Sequence, residues 1–174
     1  MNRSKTILSD KEFIQRLKQA HQIQKDIAHH FCKLGFDAWV PDLEIRENFA
    51  DRRNFQDGAD IFINLPNQQL KIEVKAYGYK FRDHFEWPGR DVHFEAKGAL
   101  ERKLRKNPDI HAQIMVSRPT NRMFVIPFAD KSLFYLVQAK HFVKNRSVDS
   151  QFYAISKYNC ISFYDYVQGL KQYL

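Results

Sequence analysis

The sequence predicts a single α/β domain, because segments with helical hydrophobic periodicity alternate with short aliphatic strands. At 174 residues the chain is long enough to bury a core without disulfides or a structural metal. Its six Gly and six Pro are scattered, and no repeat or low-complexity linker divides it. We therefore expect one domain over residues 1–174.

The first predicted element is a long helix between Ser9 and Gly35. Ser9 opens a Ser-Asp-Lys-Glu segment of capping-box form, and Gly35 suits the left-handed position after a helix end. One buried stripe is predicted from the helical spacing of Phe13, Leu17, Ala20, Ile27, Phe31 and Leu34. Gln24 lies in the middle of this stripe, where an aliphatic side chain is expected. It either faces a functional site or is a hydrogen-bonded core amide.

A short strand over 37–40 and a polar, basic loop are predicted after the helix. Two further strands over 60–65 and 70–76 are joined by residues 66–69, a loop of hairpin length with turn-forming residues. The remaining predicted elements are a helix over 95–106, strands over 113–117 and 122–128, a helix near 131–141, a strand near 151–156 and an amphipathic helix from Ser162.

The aliphatic residues of the hairpin predict its register. Placing Ile61 opposite Val74 gathers the aliphatic side chains on one face. The other face then carries Asp60 across from Lys75, with Glu73 two residues earlier on the same strand. Three chemically useful side chains are therefore expected to share one face.

Two carboxylates and a lysine on one face have a clear chemical use. Asp60 and Glu73 can hold Mg²⁺, a hard cation that prefers oxygen ligands, and the backbone carbonyl of Val74 can add another. Lys75 can orient or deprotonate an attacking water, or stabilise charge on a phosphoryl group. The set predicts hydrolysis of a phosphodiester, and a solvated strand face with a lysine–carboxylate pair is the alternative.

These residues resemble the motif of the PD-(D/E)XK nuclease superfamily, an Asp at a strand start followed by Glu-x-Lys or Asp-x-Lys on the next strand. Here the motif is Asp60 and then Glu73-Val74-Lys75. The order of the first helix, the strands GADIFIN and KIEVKA, the helix ALERKLRK and the strand AQIMVS is similar to that of archaeal Holliday-junction resolvases and several restriction endonucleases. The resemblance covers residues 9–128.

The resemblance implies a mixed central β-sheet flanked by helices, a restriction-endonuclease-like core, and DNA cleavage with Mg²⁺, for which Mn²⁺ would substitute. Asp60, Glu73 and the Val74 carbonyl would hold the metal, and Lys75 would position the water. Many members carry a Glu on the first helix at the position that matches Gln24. Gln24 is therefore expected to complete or buttress the site.

The charge balance favours DNA as a partner. The chain carries 28 Lys and Arg against 20 Asp and Glu, a net charge of +8, although such a surplus can also serve solubility alone. The sequence has no Gly-rich phosphate loop, nucleophile elbow or Rossmann fingerprint. The predicted DNA contacts are Arg52, Arg53, Tyr77, Lys80 and Arg82. Ordinary loop charge, and for Tyr77 a place in a core strand, are the alternatives.

Cutting both strands of a duplex with one site per chain generally requires two copies, so a homodimer or a partner subunit is expected. The aromatic-rich C-terminal extension, residues 129–174, would set specificity or form that interface. Cys32 and Cys160 are far apart, and no signal peptide or membrane span is apparent, so a cytoplasmic protein is expected. The alternative function is a non-catalytic DNA-binding or partner-dependent subunit with the nuclease fold, which Gln24 favours.

Overall fold

The computed structural model describes residues 10–43, 59–143 and 146–174. In chain order they form α1 (Asp10–Lys33), β1 (Asp37–Trp39), β2 (Ile61–Leu65), β3 (Gln68–Tyr77), β4 (Asp91–Ala96), α2 (Lys97–Lys106), β5 (Ile110–Ser117), β6 (Arg122–Pro127), β7 (Tyr135–Val143), β8 (Arg146–Ser156), β9 (Ile161–Ser162) and α3 (Phe163–Lys171). None of the helices within these three ranges is long and apolar enough to span a membrane.

The strands form two sheets. The larger has six strands in the order β1-β2-β3-β5-β6-β9, and the smaller has three in the order β4-β8-β7. The central pair β3 and β5 is parallel, whereas the other described neighbours in the larger sheet are antiparallel. The expected mixed α/β architecture, with a mixed sheet and flanking helices, is therefore confirmed.

Two hydrophobic cores lie on opposite faces of the six-stranded sheet. On one face α1 and α3 pack against the aliphatic residues of β2, β3 and β5, and the buried members include Phe31, Ile61, Ile72, Ile114 and Leu170. On the other face α2 and the three-stranded sheet bury Phe94, Leu100, Met115, Phe124 and Ile155. Because side chains alternate along a strand, the neighbours of Ile72 on β3 point toward the second side, where α2 lies.

The end of α1 follows the sequence prediction. Gly35 has φ +95°, the left-handed conformation, and the backbone N–H of Phe36 donates to the carbonyl of Phe31 at 3.1 Å. These contacts satisfy carbonyls at the helix end and turn the chain into β1. The predicted cap at Ser9 lies outside the described residues.

The predicted register of the hairpin is wrong by two residues. Ile61 pairs with Ile72, because β2 and β3 extend until only two residues remain in the turn. A shift of two residues leaves every side chain on its predicted face. Continued by one residue, the observed register brings Asp60 level with Glu73 rather than with Lys75.

The C-terminal part differs most from the sequence prediction. The helix predicted near 131–141 is wrong, since only Lys131–Leu133 forms a 3-10 turn and strand β7 follows. β7 pairs along its whole length with β8, so tertiary pairing outweighs local helical preference. The strand predicted near 151–156 lies within β8, and the last helix begins as predicted, with Ser162 accepting the backbone N–H of Asp165 at 3.0 Å.

The helix predicted over 95–106 begins two residues later than expected. Residues Asp91–Ala96 form strand β4, which the sequence did not predict, and α2 covers Lys97–Lys106. Glu95 is therefore a strand residue. β4 is one of the two edge strands of the smaller sheet and pairs with β8.

We expect Gly35→Ala to lower the free energy of unfolding by about 1–2 kcal/mol, because an alanine side chain is strained at positive φ. Gly169→Ala is the matched control. It lies inside α3 with nothing within 4 Å of the added Cβ, and should raise stability by about 0.5–1 kcal/mol. Urea unfolding of both variants measures the difference. A neutral Gly35→Ala would show that the left-handed conformation is not required.

Candidate functional site

Asp60, at the entrance to β2, is held by two neighbouring elements. The side-chain amide of Gln24, in the middle of α1, donates to Oδ1 at 2.8 Å, and the backbone N–H of Val74 donates to Oδ2 at 2.7 Å. The polar residue in the apolar stripe of α1 thus reaches the first residue of the predicted motif. This hydrogen bond agrees with both interpretations of Gln24, a residue that faces a functional site and a hydrogen-bonded amide.

The contact with Asp60 also orients the backbone of β3. In a strand the N–H and C=O groups of one residue point to the same side. Because the N–H of Val74 donates to Asp60, its carbonyl points toward the same side of β3. The Val74 carbonyl, the predicted third metal ligand, is therefore on the same side of β3 as Asp60.

Glu73 points toward α2 and is buried, with 6% of its surface exposed. The ammonium of Lys103, on α2, donates to its Oε2 at 2.5 Å. Lys103 also donates to Oε2 of Glu95 at 3.2 Å. A lysine from a helix therefore links carboxylates on β3 and β4.

Lys75 faces the same space from β3. Its ammonium donates to the carbonyl of Phe94 at 2.7 Å and to Oε1 of Glu95 at 3.2 Å. Glu95 is only 9% exposed and uses one oxygen for Lys75 and the other for Lys103. Carboxylates and lysines therefore alternate in one connected set: Glu73, Lys103, Glu95 and Lys75.

The charges of this set stabilise one another. Burial alone would raise the pKa of Glu95, but the ammonium groups of Lys75 and Lys103 outweigh it and hold that pKa below its usual value. Burial would likewise lower the pKa of Lys103, yet the carboxylates of Glu73 and Glu95 raise it above its usual value. Both groups are therefore charged near neutral pH.

Sequence reasoning missed Lys103 and Glu95. Lys103 belongs to a basic run that looks like a solvated helix face, but it lies three residues after the buried Leu100 and thus on the inward side of α2. That spacing was a usable signal. The position of Glu95 depends on strand β4, which the sequence did not predict.

The donor atoms at Asp60, Glu73 and the Val74 carbonyl are all oxygens, which fits Mg²⁺. Within the described ranges, no three side chains among Asp, Glu, His and Cys are grouped so as to hold a metal ion by themselves. A two-carboxylate site suits a cation that completes its coordination with water and substrate phosphate. In this structure Gln24 and Lys103 contact the two carboxylates.

The predicted DNA contacts lie in different places. Arg52 and Arg53 are outside the described residues. Tyr77, at the end of β3, packs edge-on against Trp87 with ring centroids 5.2 Å apart, and burial, with smaller contributions from nearby groups, raises its pKa. This placement agrees with the core-strand alternative for Tyr77.

Lys80 and Arg82 follow β3 on the surface. Lys80 is exposed, and the exposed Arg82 side chain lies 3.9 Å from a carboxylate oxygen of Glu86. Arg82 also lines a cavity of about 530 Å³ with residues of α1 and α3. That cavity opens on the side of the sheet opposite to α2. DNA contact by Lys80 and Arg82 stays a prediction.

No protein-family model matches the chain, and no curated protein is significantly similar to it in sequence.

We expect Glu95→Gln to lower the free energy of unfolding at neutral pH by about 1–3 kcal/mol, because its hydrogen bonds to two ammonium groups lose their ionic character. The folded pKa of Glu95 is below its usual value, so its contribution is present above the unfolded pKa and is lost as pH falls through the folded pKa. The difference from wild type should therefore shrink in acid.

Urea unfolding of Glu95→Gln at neutral pH and near pH 3 measures this dependence. Glu101→Gln, an exposed position on the same helix as Lys103, is the control and should change little at either pH. A difference that stays constant from neutral to acidic pH would contradict the role of the Glu95 charge.

Proposed function

We propose that this chain is a Mg²⁺-dependent endodeoxyribonuclease with a restriction-endonuclease-like core of the PD-(D/E)XK type. One observation carries the proposal. Asp60, just before β2, accepts the backbone N–H of Val74 at 2.7 Å, and Val74 lies between Glu73 and Lys75, which share one face of β3. The resemblance of the motif assigns these three residues to phosphodiester hydrolysis, and the geometry supports their use together.

Asp60, Glu73 and the Val74 carbonyl would hold the metal ion. When bound, the ion would neutralise phosphate charge and make a coordinated water more acidic. Gln24 buttresses Asp60 by fixing one carboxylate oxygen with its amide. Because that amide is neutral, the first helix adds no charge to the metal site.

Lys75 is suited to act on substrate. Its side chain is 35% exposed, so the ammonium is reachable, while the Phe94 carbonyl and Glu95 fix its direction. A positioned ammonium can orient the attacking water or stabilise charge that develops on the phosphoryl oxygens. Lys103 would add a second positive charge beside Glu73.

DNA is the proposed substrate because the net charge of +8 favours a polyanion. Cleavage of both strands would require a homodimer or a partner subunit. We propose that the protein is cytoplasmic and encounters DNA there.

A non-catalytic DNA-binding or partner-dependent subunit is the second candidate. The observation in its favour is that both carboxylates already have protein donors, since Gln24 and the Val74 N–H bind Asp60 and Lys103 binds Glu73. Such a set is stable without metal.

Wild-type protein should cut supercoiled plasmid, cruciform plasmid or a branched oligonucleotide with Mg²⁺ and not with chelator. Lys75→Ala should lower the rate by at least about 100-fold, the scale for losing one group that stabilises transition-state charge. Lys171→Ala, exposed at the end of α3, is the control and should cut normally. Equal cutting by Lys75→Ala, or cutting in chelator, would contradict the proposal. DNA binding without cutting under any condition would favour the second candidate.

We expect Gln24→Glu to increase the stabilisation that Mn²⁺ gives in thermal melts. A glutamate there would set a second carboxylate against Asp60, which costs stability without metal and strengthens divalent-cation binding. Asp60→Asn should abolish the stabilisation.

Gln22→Glu is the matched control, because Gln22 also donates to a carboxylate, that of Asp26, at 2.8 Å but on the exposed side of α1. It should respond to Mn²⁺ as wild type does. An equal response of Gln24→Glu and Gln22→Glu would show that position 24 is not part of a metal site.

A further inference from the structure

A stacked pair of aromatic rings lies near the proposed site on the sheet surface. Trp39 of β1 and Phe62 of β2 are directly paired. Their ring centroids are 4.5 Å apart and the rings are nearly parallel, with an interplanar angle of 14°. Trp39 is 42% exposed and Phe62 is half-buried.

The pair is adjacent to the carboxylates. Phe62 is the second residue of β2, and Asp60 comes just before the strand begins. On β3 the residue opposite Phe62 is Lys71, and Glu73 follows two residues later. The rings therefore extend the row of functional side chains toward the β1 edge of the sheet.

Within the part of the chain that the structure describes, these rings stack on each other outside the two hydrophobic cores. Among the described residues, neither ring is a member of either hydrophobic core, whereas their neighbours Ala38 and Ile63 are buried in the first one. A large, flat aromatic surface is thus kept partly in contact with water. Aromatic faces of this kind bind nucleobases by stacking, at about 1–3 kcal/mol per base and with little sequence preference.

We propose that Trp39 and Phe62 form a stacking platform for an unpaired base of the DNA strand that enters the site. Bases inside a duplex are already stacked on each other, so a base has to be unpaired or flipped to use the platform. The inference rests on the proposed nuclease function and narrows its substrate class. The preferred substrate carries a single-stranded segment next to the bond that is cut.

The surroundings of the platform suit a nucleotide. Asn64, the next residue of β2 on this face, bonds to Asp37 and Gln69, so the rings are bordered by a polar row. On β3, the strand next to Phe62, the Lys71 ammonium forms an ion pair with Asp109 at 2.9 Å. An apolar partner protein would have to bury these polar groups, whereas a base stacked on the rings leaves them in water.

Tryptophan fluorescence tests the platform directly. The chain has two tryptophans, and Trp87 is only 7% exposed, so a Trp87→Phe variant leaves Trp39 as the sole tryptophan, which excitation at the red edge of the absorption band separates from tyrosine. In chelator, where no cutting is expected, a single-stranded oligothymidylate should quench this emission saturably. A blunt duplex of the same length should quench it far less. Equal quenching by both, or none by either, would overturn the proposal.

Affinity measurements on variants provide the second test. Trp39→Ala or Phe62→Ala should weaken binding of the oligothymidylate about 5- to 150-fold, the range that corresponds to the stacking energy of one base. Trp39→Phe should retain most of the affinity. Tyr158→Ala removes another exposed aromatic, 65% exposed, and should bind as wild type does. Thermal melts establish that each variant is folded, and wild-type affinity in folded Trp39→Ala would refute the platform.

The outcomes separate this inference from the function it rests on. Binding of single strands through Trp39 without metal-dependent cutting would keep the platform and reject the nuclease. Metal-dependent cutting in which Trp39→Ala equals wild type on both branched and duplex DNA would keep the nuclease and reject the platform.

Discussion

The burial of Glu73 and Glu95 is the constraint on which the rest of the site depends. A carboxylate removed from water is costly unless a cation and hydrogen bonds replace its hydration. Here Lys103 and Lys75 supply the cations, and they come from different elements. The same contacts that satisfy these charges therefore join α2, β3 and β4, so the position of α2 and the geometry of the site are determined together.

The part of the site that the sequence predicted depends on local periodicity. Side chains alternate along a strand, so Glu73 and Lys75 stayed on their predicted face even though the predicted register was wrong by two residues. The unusual position of Gln24 was detectable for the same reason, because a polar residue in the middle of an apolar helical stripe is visible in a single segment. Its contact with Asp60 then spans 36 positions of the chain.

The part that was not predicted depends on long-range pairing. β4 and β7 both pair with β8. β7 is a strand because of this pairing and not because of its own sequence pattern, so a helix was predicted where a strand forms. Glu95 becomes part of the site only because β4 exists. Lys103, in contrast, could have been predicted from local spacing, because it lies three residues after the buried Leu100. It was instead interpreted as part of a solvated basic helix face, because its neighbours are also basic.

The two sheets differ in what their edges offer to a second copy of the chain. In the six-stranded sheet, the outermost described strands are β1 with three residues and β9 with two, so each presents few backbone groups for continuing the ladder. β7, at the edge of the smaller sheet, has nine residues. Among these edge strands, β7 therefore has the longest row of backbone groups to which a strand of a second copy could pair. The β1 edge, where the rings of Trp39 and Phe62 lie, belongs to the other sheet.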